Sequence, residues 1–313
     1  MRARLALALL ASLAVWSCGG DSPEQDFLDG VSVREEVFLD PSRPTPPTAN
    51  FPGSEDRTLR TLVWFPEGIR GPLPLLLLAH GFGGLPEKFD AFARSVARGG
   101  FVVAAPAFPL TNQNAPGGHE VGFSDFTNEP GDLSFVLDEL LEAGADAGHP
   151  LGGRIDAGRI AVLGHSLGGA AAFALGRKVC CRDERVRATI LVAAAWSLHT
   201  AFGGTAFDPG PPPTLLLHGT QDRTLAIASS EALYELLSPP RIFLGIEGGG
   251  HSDGLESQEE PPVVPRRVTQ EATLAFLRAV FFGEVAELEK LLERLRAEGH
   301  DVRFDGIELL SGR

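Results

Sequence analysis

The sequence predicts an α/β fold: one doubly wound, mostly parallel β-sheet with helices packed on both faces. Three features of the chain support this prediction. Short and continuously apolar segments recur along the 313 residues, as expected of strands that are buried on both faces. Segments with apolar residues at helical spacing lie between these strands. No repeat period and no second apolar core is visible, so we expect a single domain of this class.

The central strands are the clearest elements of this pattern. Leu73 to Ala79 is apolar throughout, and Phe101 to Pro106 is a second strand of the same kind. Thr58 to Phe65 instead alternates apolar and polar residues, which is typical of an antiparallel strand close to a sheet edge. The remaining strands are predicted at Arg159 to Leu163, Arg187 to Ala194, Thr214 to His218 and Arg241 to Ile246.

Helices are predicted where apolar residues recur every three or four positions. In Glu87 to Arg98, for example, Phe89, Phe92, Ala93 and Val96 fall on one helical face. The other helices of the domain are predicted at Asp132 to Leu141, Leu167 to Lys178, Leu225 to Leu237 and Val268 to Phe281.

The beginning of the chain has the layout of a secretory signal. Two arginines precede an apolar run from Leu5 to Val15, which is too short to span a bilayer as a stable helix. The following Val15-Trp16-Ser17-Cys18 resembles the lipobox of bacterial lipoproteins, with Cys18 as the lipidated first residue of the mature chain. Trp16 is larger than that pattern usually takes, so plain cleavage is the alternative. We therefore expect an exported protein, either a membrane-anchored periplasmic or cell-surface lipoprotein or a secreted one.

These patterns divide the chain into four segments. Residues 1–18 are the predicted signal peptide. Residues 19–57 are a tether and an irregular approach to the domain; they contain the proline-rich stretch PSRPTPPTANFPGSEDR and a candidate first strand at Val31 to Leu39. Residues 58–283 hold the α/β domain. Residues 284–313 are a helical extension, with a charged helix at Glu284 to Glu298, in which we recognise no chemistry.

Charge and cysteine content exclude several kinds of partner. The formal net charge is −14, from 27 Lys and Arg against 41 Asp and Glu, whereas nucleic-acid binding needs a basic surface. Besides Cys18, the cysteines are the neighbours Cys180 and Cys181. Because bridging neighbours requires a strained ring, we expect both to be unpaired at the end of a helix. No metal, cofactor or obligate protein partner is predicted.

Gly164-His165-Ser166-Leu167-Gly168 places a serine at the junction of a predicted strand and a predicted helix. The pattern G-x-S-x-G in this context is typical of a sharp turn that lifts the serine hydroxyl clear of the sheet. Glycine is needed at both ends because a side chain there would collide with the neighbouring strand or helix. Ser166 is therefore the candidate nucleophile.

A serine hydroxyl needs a base, and the base needs an acid that orients it. Asp222 follows the Thr214 to His218 strand, and His251 follows the Arg241 to Ile246 strand behind three glycines. Because parallel strands end at one edge of a sheet, both side chains are expected beside Ser166. Ser166 would attack, His251 would carry the proton and Asp222 would hold the imidazole.

Other acids and histidines also lie near strand ends. Asp208 and Asp253 are the rivals for the acid, but Asp253 is too close in sequence to the histidine to orient it from a neighbouring strand. His165 lies inside the turn and is expected to point away. His80 and His218 each precede a glycine and are expected to brace loops.

The tetrahedral oxyanion that forms when a serine attacks a carbonyl group also needs two hydrogen-bond donors. One candidate is the backbone N–H of Leu167, at the positive end of the helix that follows the serine. The other is the N–H of Phe82, in the glycine-rich turn His80-Gly81-Phe82-Gly83-Gly84 after a central strand. The Phe82 ring would also line the acyl side of the pocket.

Over residues 58–283 the chain resembles the α/β-hydrolase superfamily. The segments that carry the resemblance are HGFGG, EPGDLSFVLDELL, GHSLGG, HGTQD, GGGHSD and TLAFLRAVFFGE. Within the superfamily it resembles dienelactone hydrolase-like, chlorophyllase-like, platelet-activating-factor acetylhydrolase-like and cutinase-type esterases. The resemblance implies hydrolysis of carboxylic esters through an acyl-enzyme, with Ser166, Asp222 and His251 as the triad and Phe82 and Leu167 as the oxyanion hole. Dienelactone hydrolase proper has a cysteine where Ser166 stands.

The walls of the pocket are predicted from two segments. Residues 196–213 are too few for a helical cap and leave the site open, with Trp196, Phe202 and Phe207 as wall residues. The loop from Thr111 to Asn128 forms the other wall through Phe123 and Phe126, and its Gly117-Gly118 pair would let it move.

The predicted function is that of an exported serine hydrolase acting on a small-molecule ester, with short acyl chains favoured. Two alternatives stay open at this point. One is a non-catalytic, surface-anchored binding protein on the same fold, and the other is a polyester or lipid hydrolase.

Overall fold

The computed structural model describes residues 30–69, 71–256 and 262–312. The described chain forms one mixed sheet with the order β1-β2-β4-β3-β5-β6-β7-β8-β9. The strands are β1 (Val31–Asp40), β2 (Arg57–Pro66), β3 (Leu73–Ala79), β4 (Val102–Pro106), β5 (Ile155–His165), β6 (Val186–Val192), β7 (Thr214–Gly219), β8 (Arg241–Ile246) and β9 (Asp301–Asp305).

Helices connect the central strands. The α-helices are α1 (Asp90–Arg98), α2 (Glu129–Ala145), α3 (Ser166–Arg177), α4 (Ala228–Leu236), α5 (Val263–Phe282) and α6 (Val285–Ala297). Short 3₁₀ helices lie at Pro86–Phe89, His119–Val121, Phe123–Asn128, Trp196–Phe202 and Ile307–Gly312.

The middle of the sheet is parallel, as predicted. The pairs β4–β3, β3–β5, β5–β6, β6–β7 and β7–β8 are all parallel, with Leu77 of β3 opposite Ala104 on one side and Val162 on the other. The fold class, a doubly wound and mostly parallel α/β sheet of the hydrolase type, is confirmed. Its consequence for function is that the carboxyl ends of these strands meet at one edge.

Both faces of the sheet are covered, which explains the continuous apolar segments in the sequence. Successive residues of a strand point to opposite faces, so Leu76 and Leu78 of β3 join one core and Leu75 and Leu77 join the other. Helices α1, α5 and α6 cover the first face, and α2, α3 and α4 cover the second.

The sheet extends beyond the predicted domain limits of 58 and 283 on both sides. Strand β1, in the segment expected to be a tether, pairs antiparallel with β2 along ten residues, from Val31 opposite Pro66 to Asp40 opposite Arg57. Strand β9, in the expected helical extension, pairs antiparallel with β8. Antiparallel strands therefore cover the outer sides of β2 and β8, and β1 and β9 are the two edges of the sheet.

The segment between β6 and β7 is short, as the sequence predicted. Within residues 193–213, all of which the structure describes, the only helix is the 3₁₀ helix Trp196–Phe202. Two buried cations at the end of α3 hold this segment: Arg177 donates to the carbonyl oxygens of Asp208, Gly210 and Pro212, and Lys178 donates to those of Gly204 and Ala206. These bonds anchor residues 204–212 at the end of α3 that lies away from Ser166.

The prediction that Cys180 and Cys181 are unpaired is wrong. The structure joins their Sγ atoms in a disulfide between sequence neighbours. The backbone turns sharply here, because the N–H groups of both Cys181 and Arg182 donate to the carbonyl oxygen of Lys178. The turn brings the two side chains together, which the sequence pattern did not reveal.

The predicted signal peptide and Cys18 lie outside the described residues. Among the helices that the structure does describe, none is both long and apolar enough to cross a membrane.

Candidate active site

Ser166 occupies a strained turn between β5 and α3. Its φ is 51°, a left-handed value that a non-glycine residue rarely adopts. The turn needs glycines on both sides: a Cβ on Gly164 would lie 2.2 Å from the carbonyl oxygen of Gly168, and a Cβ on Gly168 would lie 2.4 Å from that of Ala79. This geometry holds the Ser166 side chain above the sheet edge.

The structure brings Ser166, His251 and Asp222 into one hydrogen-bonded chain. Nε2 of His251 lies 3.0 Å from Oγ of Ser166, and Nδ1 of His251 lies 2.7 Å from Oδ2 of Asp222. The three residues follow β5, β8 and β7, so the parallel sheet sets their spacing. Burial lowers the pKa of His251 below its usual value despite the hydrogen bond to Asp222, which favours a neutral imidazole that can accept a proton.

Asp222 is held ready to accept from His251. Its side chain is fully buried, and Oδ1 accepts the backbone N–H groups of Thr224 and Leu225 at 2.7 and 2.9 Å. Burial opposes its charge, but these bonds and the bond from His251 outweigh burial and lower the pKa. The rival acids are engaged elsewhere: Asp253 accepts the N–H of Gly250, and Asp208 pairs with Arg182.

His218 is a site residue that sequence reasoning missed. Its buried Nε2 lies 3.1 Å from Oδ2 of Asp222, and its Nδ1 lies 2.7 Å from Oγ of Ser230. Nε2 is also 3.0 Å from the carbonyl oxygen of Leu225, which can only accept, so Nε2 carries a proton. His218 therefore donates to Leu225, and its Nε2 lies beside the same carboxylate oxygen of Asp222 that contacts His251. Its position four residues before the acid, at the end of β7, was the available signal.

The expectation that His165 points away from the site is wrong. Its ring packs on the ring of His251 with centroids 4.9 Å apart, and its Nε2 donates to the carbonyl oxygen of His251 at 3.0 Å. Its Nδ1 lies 3.3 Å from Oε1 of Glu256. His165 therefore supports the backbone of the loop that carries His251.

Two backbone N–H groups lie in turns beside the nucleophile. A Cβ on Gly81 would lie 3.0 Å from the Cβ of Ser166, so the turn after β3 passes directly over the serine. In the described part of the chain, the N–H of Phe82 donates to no backbone oxygen. The N–H of Leu167 belongs to the first turn of α3, where helical N–H groups have no partner within the helix. Both donors are free for a ligand.

His80 braces this turn, as predicted. Its Nε2 accepts the backbone N–H of Phe108 at 3.1 Å, so its Nδ1 must carry the proton and donate to the carbonyl oxygen of Gly81 at 2.8 Å. Complete burial lowers the pKa of His80 to about 4. The neutral ring links β4 to the oxyanion turn.

The predicted wall residues fall into two groups. The first group is a row of ring contacts that runs through Phe82, Phe123, Phe126 and Phe202, with successive centroid distances of 5.4, 5.3 and 5.5 Å. The last two rings also share a buried apolar cluster with Leu167. In the second group, Trp196 and Phe207 pack around Phe173 and His199. Trp196 stacks on His199 and donates its Nε1–H to the carbonyl oxygen of Ser229, so its ring is engaged within the protein.

The loop from Thr111 to Asn128 is anchored, contrary to the expectation that its glycine pair would let it move. Buried Arg57 makes two-pronged contacts with both Asp125 in the loop and Asp132 in α2, at distances between 2.6 and 3.0 Å. Asn50 contacts the loop at Gly117, where its Nδ2 donates to the carbonyl oxygen. Ion pairs of this kind hold a loop in one position because breaking them would leave a buried charge unpaired.

No group of three or more His, Cys, Asp or Glu side chains suited to a metal ion occurs within the described ranges. The side chains that meet at the strand ends are a hydroxyl, an imidazole and a carboxylate in series, beside two free N–H donors. Such an arrangement can support nucleophilic attack by oxygen on a carbonyl carbon.

Comparisons with known proteins support the fold. A family model described as the alpha/beta hydrolase family matches residues 76–204, a range that contains Ser166 and ends before Asp222. Among solved structures, the chain is similar to a ferulic acid esterase from Streptomyces cinnamoneus, with a TM-score of 0.60 and 22% sequence identity. The match covers 80% of this chain and 89% of that chain. A search of curated protein sequences found no match.

Proposed function

We propose that the chain is a serine esterase of the α/β-hydrolase superfamily that cleaves carboxylic esters through an acyl-enzyme. The observation that carries the proposal is the hydrogen-bonded chain from Ser166 through His251 to Asp222, at 3.0 and 2.7 Å. The similarity to a solved ferulic acid esterase also favours ester substrates. The narrower groups that the sequence resembles stay predictions.

In the proposed mechanism, Ser166 Oγ forms a bond to the ester carbonyl carbon while its proton moves to Nε2 of His251. The carbonyl π electrons move to oxygen, and the N–H groups of Phe82 and Leu167 stabilise that negative charge. The tetrahedral intermediate then expels the alkoxide, which takes the proton from His251 and leaves as an alcohol. A water molecule repeats the sequence on the acyl-enzyme and releases the carboxylic acid and free Ser166.

Asp222 and His218 support the charge that appears during the reaction. When His251 becomes an imidazolium, the carboxylate at 2.7 Å stabilises it and keeps Nδ1 directed away from the serine. Nε2 of His218 lies 3.1 Å from the same carboxylate oxygen and adds a polar group beside it. His218 is a positioning residue in this mechanism because it acts through Asp222.

Covalent labelling tests the proposal directly. A fluorophosphonate should label the wild-type protein at Ser166, and Ser166→Ala should abolish both labelling and hydrolysis of nitrophenyl butyrate while circular dichroism stays unchanged. Ser238→Ala, at an exposed serine before β8, is the matched control and should behave as wild type. We expect activity to persist in excess chelator. A folded wild type that takes up no label would contradict the proposal and favour the non-catalytic binding protein.

We also propose that short acyl chains are preferred. Residues 193–213 provide no lid, so burial should end at the pocket mouth, and further methylenes would gain little of the ~0.8 kcal/mol that full burial gives each. The specificity constants of nitrophenyl esters should peak at acyl chains of two to about six carbons. A steady rise to palmitate, or a jump above the critical micelle concentration, would indicate a lipase instead.

Export and anchoring through Cys18 remain a separate proposal, based on the N-terminal sequence alone. Cys18→Ser should move the protein from the membrane fraction to the soluble exported fraction. A wild-type protein that is already soluble, with a cleaved N-terminus, would show that it is secreted without a lipid.

A further inference from the structure

We propose that the acyl side of this site is built for an aromatic ring, so that the preferred substrates are esters of aryl-substituted short-chain acids. The inference rests on the proposed esterase function and names the substrate class of the same site. The structural feature behind it is the row of four phenylalanine rings, Phe82, Phe123, Phe126 and Phe202, which we call the phenylalanine row.

The phenylalanine row starts and ends beside the nucleophile. Phe82 follows Gly81, where a Cβ would lie 3.0 Å from the Cβ of Ser166. At the other end, Phe126 and Phe202 belong to one buried apolar cluster with Leu167, the residue after the serine. An acyl group whose carbonyl oxygen points at the N–H groups of Phe82 and Leu167 would therefore extend along these rings.

The row changes from buried to exposed along its length. Phe126 and Phe202 are each only 5% exposed, whereas Phe82 and Phe123 are 41% and 42% exposed. Large apolar side chains that stay exposed at the mouth of a site mark a surface that a ligand covers. The inner pair forms the floor, and the outer pair is the surface available to the substrate.

The geometry of the contacts favours a further ring over an alkyl chain. Phe82 meets Phe123 at an interplanar angle of 79°, and Phe126 meets Phe202 at 81°, so edges already point at faces within the row. Aromatic rings attract one another in this arrangement through their quadrupoles, beyond the area that they bury. A saturated ring of the same size would bury similar area without that attraction.

The outer rings are held in position before a substrate arrives. Phe123 opens the 3₁₀ helix Phe123–Asn128, whose Asp125 is fastened to buried Arg57 by two bonds of 3.0 Å. On the other side, the ring of His119 packs against Phe82 with centroids 5.0 Å apart. A preformed surface loses little conformational freedom on binding, so the ring contacts should appear in the measured specificity.

Two esters that differ only in aromaticity test the inference. Ethyl 3-phenylpropanoate and ethyl 3-cyclohexylpropanoate have the same length and leaving group, and their alkyl leaving group brings no second ring. We expect kcat/KM to be about two- to tenfold higher for the phenyl ester, the ratio that one aromatic pair contributes. Phe123→Leu should remove most of this preference, and Phe123→Tyr should retain it.

Phe282→Leu is the matched control, since Phe282 is 44% exposed and its ring contacts Phe101 outside the phenylalanine row. It should leave the preference unchanged. Equal kcat/KM values for the two esters in the wild type, or a preference that survives Phe123→Leu, would overturn the inference while hydrolysis itself upheld the esterase proposal. Failure to hydrolyse either ester or to take up the fluorophosphonate would overturn both.

Discussion

Lowering the pH from 7.5 to 5 should destabilise the folded protein through His80. This histidine is completely buried between the oxyanion turn and β4. A second proton would have to go on Nε2, which faces the N–H of Phe108 at 3.1 Å, so protonation would set two donors against each other. Burial accordingly lowers the pKa of His80 from 6.5 to about 4.

The size and sign of the effect follow from this pKa. Between about pH 6.5 and 4 the unfolded chain binds a proton at His80 that the folded chain does not bind, so stability falls as the pH falls through that range. Each pKa unit corresponds to ~1.36 kcal/mol. The contribution of His80 is therefore a loss of about 2 kcal/mol by pH 5 and about 3 kcal/mol by pH 4.

Urea unfolding at pH 7.5 and 5 measures this contribution. His80→Gln should be less stable than wild type at pH 7.5, because it disturbs the bonds to Phe108 and Gly81. The difference in the free energy of unfolding between the two proteins should be about 2 kcal/mol smaller at pH 5, because only the wild type has a buried histidine that stays unprotonated in the folded state. A difference in the free energy of unfolding between His80→Gln and wild type that is the same at both pH values would refute this explanation.

Three further outcomes follow from the site. His218→Leu should reduce kcat/KM about tenfold, or about 1.4 kcal/mol, because it removes the polar group that lies 3.1 Å from Oδ2 of Asp222; an unchanged kcat/KM would show that the acid is held without it. Gly168→Ala should abolish activity and lower the free energy of unfolding by about 3 kcal/mol, because its Cβ would lie 2.4 Å from the oxygen of Ala79. Wild-type stability in urea unfolding together with wild-type kcat/KM would contradict this expectation. The pH profile of kcat/KM should rise to a plateau with its inflection below 6.5, where His251 becomes neutral, and an inflection above 6.5 would contradict the lowered pKa.

The fold class and the place of the site could be predicted from the amino-acid sequence. A strand covered on both faces must be apolar at every position, so Leu73–Ala79 was recognisable without its neighbours. The turn around Ser166 was recognisable because local crowding of the backbone requires glycines on both sides of the serine. Asp222 and His251 follow from topology, since parallel strands end at one edge. Each of these inferences depends on residues that are close together along the chain or on a general rule of sheet geometry.

Contacts between side chains that are far apart in the sequence became visible only in the folded chain. Strands β1 and β9 join the sheet through pairings with β2 and β8 that no local pattern specifies. The Arg57 guanidinium binds Asp125 and Asp132 from 68 and 75 residues away, and this bond anchors a loop that its glycines alone suggested was mobile.

The details of the site depend on the packing in the same way. His218 and His165 were both recognised as strand-end histidines, but their contacts with Asp222 and His251 depend on the space left between the ends of β5, β7 and β8. The predicted aromatic walls separated into two groups because only some of those rings reach the oxyanion turn. Local sequence sets backbone shape and burial pattern, whereas contacts between remote side chains depend on how the packed elements leave room for them.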